Sequence, residues 1–299
     1  MLGQGKKVLF IINPYSGTGY PFSVENRIQD ICAKNNAQCT IEHTKSRGHA
    51  ILLARDASKN GFDYVVAVGG DGTINEVAQG LLDTATPMGI LPRGSGNGLA
   101  RHFGIPTYLR GAIDSLFTNT VIRMDTFRIN NRLSLNVSGV GFDGHVANLF
   151  SNRKIRGLFG YVRLTVKELF NFNEFDSEIT IDGKTSTAKA FIIAVANSSQ
   201  YGNNIKVAPF ASVCDGLLDL TIMRKVPLYN VGFIYSFLKG KLEKSVLCDM
   251  VVATEALIKT SRPVPYHVDG ESCGSADSFF IQLKPASLAV LVPEGVSQQ

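Results

Sequence analysis

The feature that most constrains this chain is the stretch Val65–Ala78, in which a buried-strand pattern runs into a glycine-rich turn and then into a helix start. The run Tyr64–Val68 is apolar and rich in β-branched residues, which is typical of a strand covered on both faces of a parallel sheet. Gly69, Gly70 and Gly72 allow backbone N–H groups to approach a ligand closely. This combination predicts a phosphate site at the carboxyl end of a strand.

The apolar spacing of Ile74 and Val77 predicts a helix after this turn. We expect Thr73 to cap its N-terminus, with Glu76 as the partner in a capping box. Asp71 lies among the glycines, and a carboxylate beside phosphates is expected chiefly where a divalent cation lies between them. Many α/β proteins use such a turn only to reverse the chain, and for this motif alone that alternative stays open.

Two more predicted strands end in loops of similar chemistry. Leu9–Ile12 is followed by Asn13, Pro14, Tyr15, Ser16 and Gly17. Met88–Leu91 is followed by a loop that contains Gly94, Ser95, Gly96, Asn97 and Gly98. Because the carboxyl ends of parallel strands converge in an open α/β sheet, we expect the three loops to meet at one crevice.

The composition, with 44% hydrophobic and 18% charged residues, is that of a folded globular protein, and 299 residues are enough for two domains. No apolar run reaches the roughly 18 residues of a membrane-spanning helix, and the N-terminal pattern does not fit a signal peptide. The five cysteines include no Cys-x-x-Cys pair, so neither a disulfide framework nor a zinc site is indicated. We therefore expect a cytoplasmic protein with reduced thiols.

The net charge of +5 is modest, and no block of Lys and Arg marks a nucleic-acid arm, so we predict no nucleic-acid partner. A mild basic excess fits anionic substrates and an anionic membrane surface equally well. The histidines show no metal spacing, and we predict that they are surface or cap residues: His43, His49, His102, His145 and His267.

Strands and helices alternate from residue 7 to about 120, which predicts a doubly wound, Rossmann-like α/β domain. The predicted strands are Val8–Ile12, Ala37–His43, Tyr64–Val68 and Met88–Leu91, and the predicted helices are Val24–Asn35, His49–Lys59, Ile74–Leu82 and Leu109–Leu116.

The chain becomes β-rich after Asp125, which predicts a β-sandwich-type domain interrupted by helices near Gly160–Phe170 and Leu228–Leu238. The predicted strands are Arg123–Ile129, Leu133–Val140, Asp176–Ile181, Ala188–Ala196, Leu217–Met223, Val251–Ile258, Tyr266–Val268, Phe279–Leu283 and Leu288–Val292. We place the domain boundary close to residue 125, which gives domains of 1–125 and 126–299.

Five motifs occur in order along the chain: Asn13-Pro14-x-Ser16-Gly17, Gly69-Gly70-Asp71-Gly72-Thr73-x-Asn75-Glu76, Gly94-Ser95-Gly96-Asn97-x-Leu99-Ala100-Arg101, Asp215-Gly216-x-Leu218-Asp219 and Val268-Asp269-Gly270-Glu271. In order and spacing they resemble the diacylglycerol kinase catalytic-domain family, which includes bacterial diacylglycerol kinases, sphingosine kinases and ceramide kinases. The resemblance covers nearly the whole chain. It implies a lipid kinase that uses ATP and Mg²⁺, with its active site in the cleft between the two domains.

The resemblance also implies that ATP lies on the loops of the first domain and on a threonine after the second strand. The matching residues are Asn13, Pro14, Tyr15, Ser16, Gly17, Thr44, Gly70, Asp71, Gly72, Thr73, Ile74, Asn75, Glu76 and Ser95. Asp71, acting through Mg²⁺, and Asp125 match acids of the family's metal network. The alternatives are a plain helix-entry cap for Thr44 and an ordinary strand-end carboxylate for Asp125.

In the second domain, Glu271 matches the family's proton acceptor, with Asp269 in the same network. The two acids are two residues apart on a segment that we expect to be extended, so their side chains would leave on one face. The alternative is an Asp-Gly β-turn followed by an exposed glutamate. Asp215, together with the backbone carbonyls of Ser212 and Leu217, matches a second Mg²⁺ site, and acid plus carbonyl is a shell that Mg²⁺ accepts.

One residue departs from the bacterial pattern. Gly98 stands where bacterial diacylglycerol kinases usually carry an aspartate, whereas sphingosine and ceramide kinases tend to have a small residue there. The motifs as a whole lead us to expect diacylglycerol or a related lipid as the acceptor. Because of Gly98, a sphingoid base or ceramide is the first alternative. A nucleotide-binding regulatory protein without transferase activity is the second alternative. NAD kinase is disfavoured because the motifs of the second half match the lipid kinases.

A basic cluster of Arg153, Lys154 and Arg156 precedes an apolar helical pattern. This arrangement favours peripheral contact with an anionic membrane surface. A helix packed on the second domain, with its basic residues in water, is the alternative. A homodimer is compatible with the sequence, which neither requires nor excludes one.

Overall fold

The computed structural model describes residues 5–17, 23–152, 167–202, 205–206, 208–225 and 247–295. These residues form two compact units, one of 5–125 with 285–295 and one of 126–284. Some of the predicted features lie outside the described residues: Arg153, Lys154 and Arg156, the helix near 228–238, and most of the helix near 160–170. The described end of the latter, 167–171, is helical.

The first unit alternates strands and helices as the sequence predicts. Its elements are β1 (Lys7–Ile12), α1 (Ser23–Lys34), β2 (Gln38–His43), α2 (His49–Lys59), β3 (Tyr64–Gly69), α3 (Asp71–Leu81), β4 (Met88–Pro92), α4 (Gly98–His102), α5 (Leu109–Ser115) and the start of β5 (Thr120–Ile129).

The second unit is built mainly from strands. It contains the end of β5, then β6 (Arg132–Ser134), β7 (Val137–Gly141), α6 (Phe142–Asn152), β8 (Phe175–Ile181), β9 (Lys184–Ala190), β10 (Ile192–Ala196), β11 (Gln200–Gly202), β12 (Ile205–Lys206), β13 (Leu218–Met223), β14 (Cys248–Ala253), β15 (Glu255–Val268) and most of β16 (Glu271–Val292).

The sheet of the first unit is parallel, with β4, β3, β1 and β2 in that order. The end of β16 adds a fifth parallel strand beside β4, where Val290 pairs with Met88. Every residue of β3 and β4 is buried because helices cover both faces of such a sheet, whereas β2 at the edge is partly exposed throughout. Because β1 to β4 are parallel, they end at the same edge of the sheet, which is the edge that carries the glycine-rich loops.

The last segment of the chain differs from the predicted domain of 126–299. The second unit ends at Lys284, and residues 285–295 belong with the first unit. The physical reason is the apolar run Leu288–Val292, which is fully buried beside β4 and completes the core of the parallel sheet. Long-range strand pairing, which local sequence patterns do not contain, decides which sheet receives this segment.

The sheet of the second unit is antiparallel, in the order β14, β13, β10, β7, β15 and β16. The long strand β15 pairs with β7 near its end and with β8 in its first half, and β8 pairs with β9. The alternating burial of β8 shows one face toward the core and one toward solvent. Phe142, Phe172 and Phe191 pack together in this core, with ring centroids 4.7 to 5.9 Å apart, and the rings of Phe142 and Phe191 are stacked.

Helix α6 follows β7 directly and was not predicted from the sequence. It packs along β15 so closely that a Cβ atom at Gly144 would lie 2.5 Å from the carbonyl oxygen of Pro265. Among the described residues, no helix is long and apolar enough to cross a lipid bilayer.

Candidate active site

Within the first unit, three loops meet at the carboxyl edge of the parallel sheet. The backbone N–H of Asn13, just after β1, donates to the carbonyl of Val68 at 3.0 Å, and its side-chain amide donates to Oγ1 of Thr73 at 3.1 Å. The N–H of Arg93, just after β4, donates to the carbonyl of Gly69 at 2.7 Å. The geometry thus brings together the loops that the sequence places after the first, third and fourth strands.

The loop after β1 is a compact turn built by Asn13. Its side-chain oxygen accepts the N–H of Tyr15 at 3.0 Å, and its carbonyl accepts the hydroxyl of Ser16 at 2.8 Å. Such Asx turns fix the backbone without regular secondary structure. The side chain of Tyr15 is 87% exposed, so a large aromatic surface stands in solvent beside the loop. Pro14 and Gly17 complete the turn.

The turn after β3 differs from the sequence prediction. Helix α3 begins at Asp71, with Gly70 as its N-cap, so the prediction that Thr73 caps the helix is wrong. Thr73 lies inside the first turn and is buried, as are its neighbour Ile74 and the core positions that follow. The N-cap residue, Gly70, has no side chain with which to cap the helix, and the N–H groups at a helix N-terminus favour an anion. Gly72 and Asn75 lie in the same turn and are half-buried.

The predicted capping-box partner, Glu76, binds elsewhere. Its carboxylate accepts the N–H of Gly48 at 2.8 Å and the N–H of Ala50 at 3.3 Å, at the start of α2. The capping-box assignment is therefore wrong, because Glu76 satisfies the N-terminus of the neighbouring helix rather than that of its own. Thr44, after β2, is positioned by its N–H, which donates to the carbonyl of Ile12 at 2.9 Å.

The carboxylate of Asp71 links α3 to the loop after β4. One oxygen accepts the N–H of Gly98 at 2.8 Å, and the other accepts the N–H of Asn97 at 2.9 Å. Hydrogen bonds from backbone N–H groups to an ionised acceptor are among the stronger ones in proteins. Asp71 thus fixes the start of α4 against the start of α3, a role that the sequence did not suggest.

The loop after β4 is further locked by Asn97, which adopts a left-handed conformation with φ of 50°. Its side-chain oxygen accepts the N–H of Gly94 at 2.8 Å, and its amide donates to the Gly94 carbonyl at 2.8 Å. Gly94 and Gly70 face each other so closely that a Cβ at Gly94 would lie 2.8 Å from the Cα of Gly70. Only glycine fits this approach. Ser95, the next residue of the loop, is exposed.

Asp125 lies at the end of the first unit and is 2% exposed. Its carboxylate accepts the N–H of Ala286 at 2.7 Å, on the returning strand β16. The structure therefore gives this acid a backbone partner within the first unit.

The acidic motif of the second unit is a hairpin turn. Asp269 and Gly270 have φ of 48° and 84° and join β15 to β16 as a two-residue turn of the primed type. The carboxylate of Asp269 accepts the hydroxyl of Ser134 at 2.6 Å and the N–H groups of Leu135 and Asn136 at 3.0 Å. This acid therefore anchors the turn to the segment before β7.

Glu271 is the first residue of β16 and is exposed. The expectation that Asp269 and Glu271 share one face of an extended segment is wrong. Residues two apart share a face only where the backbone between them is extended, and here Asp269 lies in the turn while Glu271 begins the strand. Asp269 points into a network of hydrogen bonds, whereas Glu271 lies at the surface of the second unit.

The predicted second metal site lies on a turn before β13. The Asp215 carboxylate is exposed and accepts the N–H of Leu217 at 3.0 Å, and the Ser212 side chain accepts the N–H of Cys214 at 3.4 Å. Burial, with the nearby charge of Asp215, raises the pKa of Asp219 to about 6. Across the described residues, no group of three or more His, Cys, Asp or Glu side chains is placed to hold a metal ion.

The prediction that all five histidines lie at the surface or in caps is wrong for His267, which is 3% exposed. It is bonded to Asp143 on α6 and to the N–H of Gly270. Sequence spacing gave no sign of this pair, since its members are 124 residues apart. His267 lies between Tyr266 and Val268 in a strand, and all three residues are buried, so alternation along the strand gave no signal either.

Two family models match the chain. Residues 7–129 match the diacylglycerol kinase catalytic domain, and residues 136–292 match the YegS C-terminal NAD kinase beta sandwich-like domain. The chain belongs to the diacylglycerol kinase family. The expected architecture, a nucleotide-type α/β domain followed by a β-sandwich-type domain, is confirmed by these two matches.

Curated relatives agree with this membership. A diacylglycerol kinase of Bacillus subtilis is 26% identical over 98% of this chain and 99% of its own length. A diacylglycerol kinase of Staphylococcus haemolyticus is 28% identical over 81% of this chain and 74% of its own. The fold also matches the crystal structure of a diacylglycerol kinase from Bacillus anthracis, with a TM-score of 0.76 and 23% identity over 97% of this chain and 98% of that one.

Membership of this family confirms the prediction of a phosphotransferase of the lipid kinase type, and a kinase implies the use of ATP.

Proposed function

We propose that this chain is an ATP- and Mg²⁺-dependent lipid kinase that phosphorylates a hydroxyl group of diacylglycerol or a related lipid. The observation that carries the proposal is the bond of Asp71 to the N–H groups of Asn97 and Gly98. It joins the start of helix α3 to the loop after β4, where the backbones of Gly70 and Gly94 face each other across the two loops. Such a surface offers N–H groups and little side-chain bulk, which suits a polyphosphate.

ATP fits the residues at this edge. The N-terminus of α3 supplies N–H groups and the positive end of a helix dipole, both of which favour phosphate oxygens. Ser95 and Ser16 add hydroxyl groups, and the exposed ring of Tyr15 offers a surface on which a base can stack.

Mg²⁺ fits the acidic side chains at both predicted metal positions, Asp71 in the first unit and Asp215 in the second. Asp71 places a carboxylate among the loops after β3 and β4, where it accepts the N–H groups of Asn97 and Gly98, and a carboxylate is a ligand that Mg²⁺ accepts. Asp215 is exposed, and with the carbonyls of Ser212 and Leu217, which the family resemblance implies, it would form the hard-oxygen donor set that Mg²⁺ prefers. When bound, the ion neutralises negative charge on the phosphates.

The proton of the lipid hydroxyl needs an acceptor, and we assign it to Glu271. This carboxylate is exposed at the start of a strand, whereas Asp269 is held by three hydrogen bonds that a protonated acid would weaken. Asp269 therefore anchors the turn, and Glu271 is the group that accepts a proton from a bound hydroxyl.

The direct test incubates the purified protein with γ-labelled ATP, Mg²⁺ and mixed micelles that contain diacylglycerol, a sphingoid base or ceramide in parallel. We expect labelled phosphatidic acid from the diacylglycerol micelles and little product from the other two. Labelled sphingoid phosphate or ceramide phosphate as the main product would favour the alternative substrate class. ATP binding without any labelled lipid would favour a regulatory protein.

The sphingoid alternative has one specific observation in its favour. Gly98 is the first residue of α4, is buried and donates its N–H to Asp71. Because glycine has no side chain, this position lacks the carboxylate that bacterial diacylglycerol kinases usually carry there. Replacing Gly98 by Asp in the same assay measures whether that missing acid affects the choice of acceptor.

We propose further that the enzyme works at an anionic membrane surface, since its acceptor is a lipid and its net charge is +5. Sedimentation with vesicles of neutral or anionic lipid tests this. Equal binding to both kinds of vesicle would contradict an electrostatic contact.

A further inference from the structure

His267 is a buried histidine that links helix α6 to the hairpin turn. Its Nε2 lies 3.2 Å from Oδ2 of Asp143, and its Nδ1 lies 3.1 Å from the backbone nitrogen of Gly270. The imidazole is 3% exposed and the Asp143 side chain is 13% exposed, so water competes little for these bonds.

The two contacts define the tautomer of the ring. The Gly270 N–H can only donate, so Nδ1 of His267 accepts and carries no proton. Nε2 therefore carries the proton and donates it to the Asp143 carboxylate. The other oxygen of Asp143 accepts the N–H of Gly144 at 2.8 Å, which holds the carboxylate in place.

The strand beside His267 leaves room for this carboxylate. Gly139 on β7 pairs directly with His267, and a Cβ atom at Gly139 would lie 1.6 Å from Oδ2 of Asp143. Any side chain there would expel the carboxylate. Further along α6, Asn148 accepts the hydroxyl of Ser272 at 3.3 Å, so the helix contacts the chain on both sides of Glu271.

We propose that Asp143 and His267 are positioning residues that fix the Asp269–Gly270 turn and thereby orient Glu271. The inference rests on the proposed role of Glu271 as proton acceptor. Asp269 secures one side of the turn through Ser134, Leu135 and Asn136, and His267 secures the other through Gly270. Glu271 follows Gly270 directly, so the direction of its Cα–Cβ bond depends on this turn.

Two substitutions of His267 separate its two bonds. In His267→Asn the side-chain oxygen occupies the place of Nδ1 and can still accept the Gly270 N–H. In His267→Gln the amide nitrogen occupies the place of Nε2 and can still donate to Asp143, but the acceptor for Gly270 is lost. We expect kcat to fall about 10- to 100-fold in His267→Gln and much less in His267→Asn, with the KM for ATP unchanged in both.

Amide hydrogen exchange at Gly270 supplies a readout that does not need activity. We expect slow exchange in the wild type and in His267→Asn, and faster exchange in His267→Gln. If the wild type transfers no phosphoryl group to lipid but shows this exchange pattern, the proposed function fails while the held turn stands. Unchanged exchange and unchanged kcat in His267→Gln would overturn the inference.

Asp143→Ala is the second variant, because alanine favours a helix and this side chain is at the edge of the core. It removes the acceptor of Nε2–H but leaves Nδ1 to accept the Gly270 N–H, so we expect kcat to fall less than in His267→Gln, with the KM for ATP unchanged. His43→Gln is the matched control, since His43 also contacts a carboxylate, that of Glu25, but lies in the first unit. A kcat as low in His43→Gln as in His267→Gln would overturn the specific role of His267.

Discussion

The carboxylate of Asp125 accepts a hydrogen bond from the backbone N–H of Ala286, with 2.7 Å between oxygen and nitrogen. Ala286 has a φ of 46°, a left-handed conformation that costs a residue with a side chain about 1–2 kcal/mol. The bond offsets part of that cost and fixes the backbone where β16 runs into the parallel sheet. Asp125 thus has a structural partner whether or not it contacts a metal ion.

Two substitutions of Asp125 distinguish these roles. In Asp125→Ala the N–H of Ala286 loses its carboxylate acceptor, so we expect the free energy of unfolding to fall by about 1–3 kcal/mol. In Asp125→Asn the amide oxygen can still accept, so we expect stability close to that of the wild type. Urea denaturation measures both. A stable Asp125→Asn variant that has lost Mg²⁺-dependent turnover would instead support the metal role that the family resemblance implies.

Asp71→Asn tests the junction of the nucleotide loops. An amide has one acceptor oxygen, so its NH₂ group would face the N–H of Asn97 or of Gly98. We expect turnover to fall a hundredfold or more, which is roughly 3 kcal/mol of barrier, together with a lower melting temperature. The matched control is Asp56→Asn, on the exposed face of α2, which should change neither. Normal turnover in Asp71→Asn would remove Asp71 from the mechanism.

Glu271→Gln tests the proton acceptor. We expect kcat to fall about 10²- to 10⁴-fold, the usual contribution of a positioned general base, with ATP affinity nearly unchanged. Asp277→Asn, an exposed carboxylate on the same strand, should leave kcat unaffected. If ATP affinity falls as much as kcat, Glu271 contributes to nucleotide binding and is not the base.

Asp215→Asn tests the proposed metal position in the second unit. A ligand that binds only the folded state raises the melting temperature, so Mg²⁺ without nucleotide should stabilise the wild type. We expect a smaller shift for Asp215→Asn and a full shift for Asp249→Asn, an exposed acid on β14. Differential scanning fluorimetry over a series of Mg²⁺ concentrations measures this. Equal shifts in all three proteins would place the ion elsewhere.

The cysteines should react with iodoacetamide in a defined order. A hydrogen bond with the Cys32 thiol lowers the pKa of Cys39, which is partly exposed on β2. Burial raises the pKa of Cys248 to about 11. The thiolate is the reactive form and appears as pH rises through the pKa, so Cys39 should be alkylated at lower pH than Cys248. Peptide mass spectrometry of the native protein across pH checks this order, and faster labelling of Cys248 would contradict it.

The strands of the first unit were predictable because their signals are local. Continuous apolar runs gave β1, β3 and β4 to within one residue at each end, and the glycine-rich loops after them were expected to converge. The hydrogen bonds that join the loops were not predictable, since they depend on side chains far apart in sequence. Glu76 is the clearest case, because its acceptor role at Gly48 spans 28 residues.

The second unit was less predictable at the level of the site. Helix α6 was missed because it begins among glycines, which lower helix propensity, and its Gly144 is needed for contact with β15. The Asp269–Gly270 pair is a strong hairpin signal, and the structure has that turn, whereas the catalytic role of Glu271 stays a prediction. The burial of His267 arises from strand pairing with Gly139, which no local pattern contains.

The return of β16 to the parallel sheet has a consequence for how the protein is made. Synthesis from the N-terminus completes β4 about 200 residues before its partner Val290 exists, so the nascent first unit carries an open, apolar sheet edge. The two units therefore cannot mature strictly one after the other. The first-made half of the molecule reaches its final structure only when the last strand leaves the ribosome, and until then that edge is where a chaperone would bind or a misassembled strand would add.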